Sequence, residues 1–321
     1  MESHSDRQSD QPALHLHIGV HKTATTHLQK SLRNNQSLLK TVGTRFLPPG
    51  QYRKALAPLH AELRDGGPAD QIRDSAAALV HGAARGCPRL ILSDENIVGN
   101  LPRVARDDQL YPWSPGRVRR TCALFEGHDL TLFMAIRNVG SFLPSAYGES
   151  LLHGRYQTFE RFISNTDPLR LRWSDMVAAL LDGLGGLPLV VWRYEDYRPH
   201  RNRIAQAVIG APLPEGFDFL DKRTRPGLTA DAHRLLANWA EDGRDLRDER
   251  LFAHAAKMCP PGPDHPPFRP LPEETIRQCD ANYAEDWRQI AAMPGVTALR
   301  FDETGVAGAA GVAGEAGAAG D

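Results

Sequence analysis

Cysteine is scarce in this chain: four residues in 321, namely Cys87, Cys122, Cys259 and Cys279. No two stand at C-x-x-C spacing, so neither a zinc knuckle nor a thioredoxin-like redox pair is indicated, and buried reduced thiols are expected. Aromatic residues make up only 7%. No apolar run approaches the ~18 residues of a membrane span, and the polar stretch Met1–Gln11 lacks the apolar segment of a secretory signal. Neither sign of charge dominates: 38 Lys+Arg against 39 Asp+Glu give a net charge of -1. That balance argues against a general basic surface for nucleic acid, while leaving room for a local basic pocket. A soluble, cytoplasmic protein with no nucleic-acid or membrane partner is expected.

Hydrophobic residues at 41% and charged residues at 24% suit a globular chain with a sizeable core. Residues 1–12 are expected as a disordered leader, 13–303 as one domain, and the Gly/Ala-rich 304–321 as a flexible tail. Strand-like runs are Leu14–Val20, Arg89–Leu92, Leu130–Ile136 and Leu187–Trp192. Between them lie helical patterns over Thr25–Lys40, Ala69–Ala84, Arg117–Phe125, Ser141–Leu152, Thr158–Ser164, Leu171–Leu184 and Arg201–Ile209. The chain from Thr229 is mostly helical, with a Pro-rich break at Cys259–Pro272. Such alternation predicts an α/β domain with a central parallel sheet flanked by helices. Ligands of that architecture sit beyond the carboxyl ends of the strands, so chemistry is sought just after each run.

After the first run comes Gly19-Val20-His21-Lys22-Thr23-Ala24-Thr25-Thr26. A strand-to-helix turn offers unpaired backbone N–H groups to an anion, and Lys22 and the threonine hydroxyls add donors. A Walker loop requires G-x-x-x-x-G-K-[ST], and Leu16 and His21 stand where its glycines should be. After the third run come Arg137 and, across seven residues, Ser145. A guanidinium at a strand end and a hydroxyl on the next helix can converge on one phosphate. With a helix starting near Val139, Ser141 and Ser145 share a face; Pro144 is awkward in a helix interior but tolerable in a first turn. The second run ends in Ser93-Asp94-Glu95-Asn96. Three roles stay open for these acids: Glu95 as general base, a helix cap, or a Walker B ligand for Mg²⁺. His60, His81, His128 and His153 are spare candidates for the base.

Lys22-Thr23-Ala24-Thr25-Thr26-His27-Leu28-Gln29 resembles the 5′-phosphosulfate loop of the sulfotransferases that use PAPS (3′-phosphoadenosine-5′-phosphosulfate), usually K-T-G-T-T, with Ala24 in place of Gly. Arg137 and Ser145 resemble that family's 3′-phosphate segment. Glu149-x-Leu151 with Gly154, and Thr158–Ile163, resemble its bacterial, carbohydrate-type branch. Lys222-Arg223-Thr224-Arg225-Pro226-Gly227-Leu228-Thr229 is similar to its late R-x-N-x-S-L-S loop, departing at Arg225 and Gly227. The resemblance implies the P-loop-kinase-like sulfotransferase fold and PAPS as donor. It implies Lys22, Thr23, Ala24, Thr25, Thr26, Arg137, Ser145 and Arg223 at the donor, Lys22 and Glu95 in catalysis, and no metal. The implied reaction is in-line transfer to a hydroxyl, with an amine second, of a small-molecule or carbohydrate acceptor. Glu195 and Asp196 are read as capping or paired groups without chemistry. The runner-up is a P-loop small-molecule kinase using ATP and Mg²⁺; a silent nucleotide binder is the third reading. The segments Phe46–Asp65 and Asn100–Trp113 are expected as variable acceptor loops.

Overall fold

The computed structural model describes residues 11–152, 156–164, 166–220, 227–246 and 249–301. Apart from residues 11 and 12, the expected leader and the whole expected tail lie outside them. Strand β1 (Ala13–Gly19) leads through α1 (Thr25–Asn34) and α2 (Gln36–Thr41) to β2 (Thr44–Leu47). Helices α3 (Pro49–Arg64) and α4 (Ala69–Ala84) return the chain to β3 (Arg89–Ser93). A 3₁₀ turn at Leu101–Arg103, a small hairpin of β4 (Ala105–Arg106) with β5 (Gln109–Leu110), and α5 (Ser114–Ala123) precede β6 (Leu130–Ile136). Helices α6 (Val139–Leu152), α7 (Phe159–Ile163) and α8 (Trp173–Asp182) then lead to β7 (Leu189–Arg193). Helices α9 (Tyr194–Ile209), α10 (Ala230–Glu241), α11 (Glu249–Met258) and α12 (Glu273–Ile290) lead to β8 (Val296–Ala298). Among the described residues no helix is long and apolar enough to cross a membrane.

The six-stranded sheet runs β2-β3-β1-β6-β7-β8, with every neighbouring pair parallel. The expected α/β class with a central parallel sheet is therefore the observed one. Both faces are covered, which is why its strands read as continuous apolar runs. On one face Leu14, Leu16 and Ile18 of β1 join Leu132 and Met134 of β6 in the larger core. On the other, Ile91, Phe133, Ala135 and Trp192 pack with Leu28 and Leu32 of α1 and with Ile204 and Val208 of α9. The two strand histidines belong to that second face: His15 lies against Phe133 and His17 stacks on Trp192. Burial pushes the His17 imidazole down to about 4 and keeps it neutral.

Two expectations are corrected, and Pro144 is located. The helix expected over Thr25–Lys40 breaks at Asn35, whose Nδ2 donates to the carbonyls of Ser31 and Asp218, both at 2.8 Å. The supposed loop Phe46–Asp65 is largely α3, with Pro49 in its first turn and Tyr52 and Leu56 buried. Pro144 is the sixth residue of α6, past the first turn where its missing N–H would cost nothing. Smaller shifts also occur. Helix α9 begins at Tyr194 directly after β7 and absorbs Pro199 by a non-helical His200.

Candidate active site

Register between β1 and β6 slips between His17 and Gly19, at the point where β1 hands over to the loop. Gly19 takes φ +74, and a Cβ there would lie 2.7 Å from both Cα and Cβ of Glu95. Only glycine allows this approach, which seats the Glu95 backbone against the end of β1. The loop beyond contains two residues in the left-handed region, Lys22 and Ala24, each at φ +63. Ala24 is the N-cap of α1, and its conformation explains why a glycine is usual there: a Cβ costs about 1–2 kcal/mol in this region. The N–H groups of Thr23, Ala24, Thr25 and Thr26 have no backbone acceptor among the described residues. Placed at the positive end of α1, they form a cradle for an anion.

The threonine hydroxyls divide. Thr23 Oγ1 donates to Val20 O at 2.6 Å and Thr25 Oγ1 to the same carbonyl at 3.0 Å, and both residues are buried. Their hydroxyls thus brace the loop from inside in this arrangement, and Thr25 also lines the cavity described below. Thr26 lines the same cavity.

Arg137, at the end of β6, turns toward the same loop. Its Nη1 donates to Lys22 O at 2.7 Å and to Ser145 Oγ at 3.2 Å, and its Nε donates to Ser141 Oγ at 3.0 Å. Tyr194, the first residue of α9, presents its ring 4.4 Å below the guanidinium. Trp173 Nε1 donates to Arg137 O at 2.6 Å, and Trp173 N in turn donates to Asp286, which is 1% exposed. Burial pulls the Arg137 guanidinium below its ordinary value, opposed by Tyr194 and Glu195; arginine nonetheless stays charged in proteins.

Glu95 faces the loop from the turn that follows β3. Its Oε2 accepts from Gln29 Nε2 at 2.9 Å, and Arg53 Nη2 lies 3.5 Å from Oε1. The side chain stays 24% exposed, so a substrate can reach it. Its neighbour Asp94 is buried and clasped by Arg53, Nε to Oδ2 at 2.8 Å and Nη2 to Oδ1 at 2.6 Å. Asp94 Oδ1 also accepts the Asn96 N–H at 2.9 Å. That bond closes a turn; the next helical element, Leu101–Arg103, is preceded by Asn100, so neither acid caps a helix. Gln29 Nε2 donates as well to Ser93 Oγ at 3.0 Å, which lies 2.9 Å from His17 Nδ1. His21 bridges Tyr111 Oη at 2.9 Å and Asn96 Oδ1 at 3.1 Å; burial lowers its affinity for a proton.

These groups surround a cavity of about 850 Å³ beyond the carboxyl ends of β1, β3, β6 and β7. Its described lining includes five cations, Lys22, Arg53, Arg137, Arg198 and Arg201, against three carboxylates, Glu95, Glu149 and Glu195. In a chain near neutrality the described lining thus carries a local excess of positive charge, which suits an anionic ligand. Arg223 lies outside the described residues, although Leu220 and Gly227 on either side of its segment line the cavity. Of the spare histidines, His60 sits against Tyr52 Oη at 3.1 Å and His128 against Pro12 O at 3.5 Å. Neither of these nor His81 lines the cavity, and His153 lies outside the described residues. Glu195 accepts from Tyr283 Oη at 2.7 Å and from the Asn138 N–H at 3.2 Å, while Asp196 pairs with Arg193.

Several residues of the site were not anticipated as such, among them Tyr194, Arg198 and Arg201 of α9, and also Arg53 and Glu149. Arg53 rides on α3, the helix read as loop. Glu149 lies four residues beyond Ser145 on α6, is buried, and accepts Lys22 Nζ at 3.0 Å. The four-residue step from Ser141 to Ser145 extends to it directly.

No family model matches the chain, and no curated protein does. Among solved structures, the crystal structure of a sulfotransferase from Alicyclobacillus acidocaldarius is similar at 16% identity and a TM-score of 0.38. The likeness covers 76% of this chain and 96% of that one. At that TM-score it decides nothing about chemistry.

Proposed function

We propose that this chain is a sulfotransferase that moves a sulfuryl group from PAPS to a hydroxyl, with an amine second, of a small-molecule or carbohydrate acceptor. One observation carries the reading: the Arg137 guanidinium joins Ser145 Oγ to the Lys22 carbonyl. It sets a second anion corner beside the loop cradle, as a donor with both a 3′- and a 5′-phosphate demands. Lys22, the N–H groups of residues 23–26 and Thr26 would hold the 5′-phosphosulfate; Arg137 and Ser145 would hold the 3′-phosphate. Arg223 is proposed at the donor on the resemblance of its loop.

In the reaction, a bond forms between the acceptor oxygen and sulfur while the bond from sulfur to the bridging phosphate oxygen breaks. The acceptor proton goes to Glu95, and the departing oxygen keeps the electron pair. Lys22 and the loop N–H groups neutralise the charge growing there, the kind of fixed electrostatic contribution that is usually largest. Gln29 and Arg53 hold the Glu95 carboxylate in place. Asp94, the acid a Walker B strand would give to Mg²⁺, has both oxygens clasped by Arg53, which counts against the kinase reading. The cytoplasmic setting is proposed on four unpaired cysteines.

A thermal-shift panel tests this. The desulfonated product PAP (adenosine 3′,5′-bisphosphate) at 100 times its dissociation constant should stabilise by about 2.7 kcal/mol. ATP with Mg²⁺, which offers nothing to Arg137 and Ser145, should do much less. Equal shifts would transfer the assignment to a kinase.

A further inference from the structure

Glu149 has no part in the reaction set out above, yet it stands in the cavity wall with its carboxylate 3.0 Å from Lys22 Nζ. Of the other two lining carboxylates, Glu95 is held by Gln29 and Arg53, and Glu195 by Tyr283 and the Asn138 N–H. A buried negative charge opposes the entry of any anion. Its position makes the opposition selective, because it adjoins the cation assigned to the transferable end of the donor.

Resting on the sulfuryl-transfer reading, we infer that Glu149 is a specificity-determining residue, selecting a sulfuryl over a phosphoryl group at the donor's transferable end. The two groups share a tetrahedral shape and nearly the same size, so contact surfaces distinguish them poorly. Charge distinguishes them well. A terminal sulfuryl carries one negative charge, whereas a phosphate monoester carries about −1.5 to −2 near neutral pH. A fixed carboxylate beside the binding cation repels the surplus charge, and the partly buried setting weakens solvent screening of that repulsion. Lys22, shared with Glu149, offers only part of its charge to the ligand. Part of one charge suits a sulfuryl and leaves a phosphoryl under-compensated. Helix α6 keeps Glu149 there by the four-residue step that also places Ser141 and Ser145.

The test uses two pairs of nucleotides that differ only in the terminal group: adenosine 5′-phosphosulfate against ADP, and PAPS against 3′-phospho-ADP. Dissociation constants are measured without metal by calorimetry for the full chain and for Glu149→Gln and Glu149→Asp, with melting curves to confirm folding. The ratio of phosphoryl to sulfuryl dissociation constants should fall about tenfold in Glu149→Gln, equivalent to about 1.4 kcal/mol, and in the same sense for both pairs. Glu149→Asp, which keeps the charge, should retain most of the wild-type ratio. A merely structural role would weaken both members of each pair alike and leave the ratio unchanged; that result overturns the inference. Should the 3′-phosphate add nothing to affinity in either pair, the PAPS reading falls, while the adenosine 5′-phosphosulfate and ADP pair still tests Glu149. A wild type that binds none of the four nucleotides overturns both.

Discussion

Replacing Gly19 by alanine tests the tightest approach in the site. Two costs are expected, and a second glycine separates them. At φ +74 the new Cβ is in the left-handed region, at about 1–2 kcal/mol. It also lands 2.7 Å from Glu95 Cα and Cβ, and overpacking of that kind costs about 1–3 kcal/mol. Gly86 has nearly the same φ, +76, and no atom within 4 Å of its would-be Cβ, so Gly86→Ala carries only the first cost. The unfolded-state entropy change is common to both and cancels in the comparison. For a chain of this length each kcal/mol corresponds to roughly 1.5 °C in Tm. Scanning calorimetry should therefore show Gly19→Ala lower by about 3–8 °C and Gly86→Ala by about 1.5–3 °C. Turnover per folded molecule should also drop in the first variant, because Glu95 must move aside, and stay level in the second. Equal melting shifts with equal turnover would refute the close approach and the seating of Glu95 on β1.

Glu95→Gln should lower turnover about 10²–10⁴-fold while PAP affinity stays near wild type; a variant keeping more than half its activity removes Glu95 as the base. Asp286→Ala should lower stability by about 3 kcal/mol by leaving Arg172 and the Trp173 N–H without their acceptor, and PAP affinity should fall with it, since Trp173 holds the Arg137 carbonyl. The pH dependence follows from His17. Its folded value near 4 lies below the ordinary 6.5, so the unfolded chain binds the proton first. The stabilisation is complete above pH 6.5 and is lost as pH falls toward 4, by about 3 kcal/mol in all. Urea melts from pH 7 to pH 4 should thus show wild type losing more stability than His17→Phe; parallel losses would contradict the burial of a neutral imidazole.

The buried centre of the sheet was legible and its margins were not. Leu130–Ile136 is a strand end to end as its unbroken apolar run indicates, and Ala69–Ala84 is a helix over its full expected span. Strands β2 and β8, of four and three residues at the sheet edges, are too short for any period to register. Helix α3 was hidden by Pro48-Pro49-Gly50, which reads as a breaker. Proline just inside a helix start is favourable, and Tyr52, Leu56, Leu59 and Leu63 already carried the helical spacing. Arg53 was lost with that helix. In the site, residues at strand ends were legible because a parallel sheet points them all to one side. The direction of the Thr23 and Thr25 hydroxyls was not, since it depends on the backbone of Lys22 and Ala24, where side chains rarely take positive φ.

Helix α6 gives the site a length standard. Ser141, Ser145 and Glu149 stand one above another at four-residue intervals, so the corner at Arg137 and the cation at Lys22 are addressed from a single rod. At 1.5 Å per residue, Ser145 and Glu149 are about 6 Å apart along the axis. No loop between them can stretch or contract that interval. On the proposed reading, exchange of the segments around the mouth can then alter which acceptor enters while the span offered to the donor stays fixed. One residue inserted between Ser145 and Glu149 would swing the carboxylate about 100° around the rod and uncouple the two ends at once.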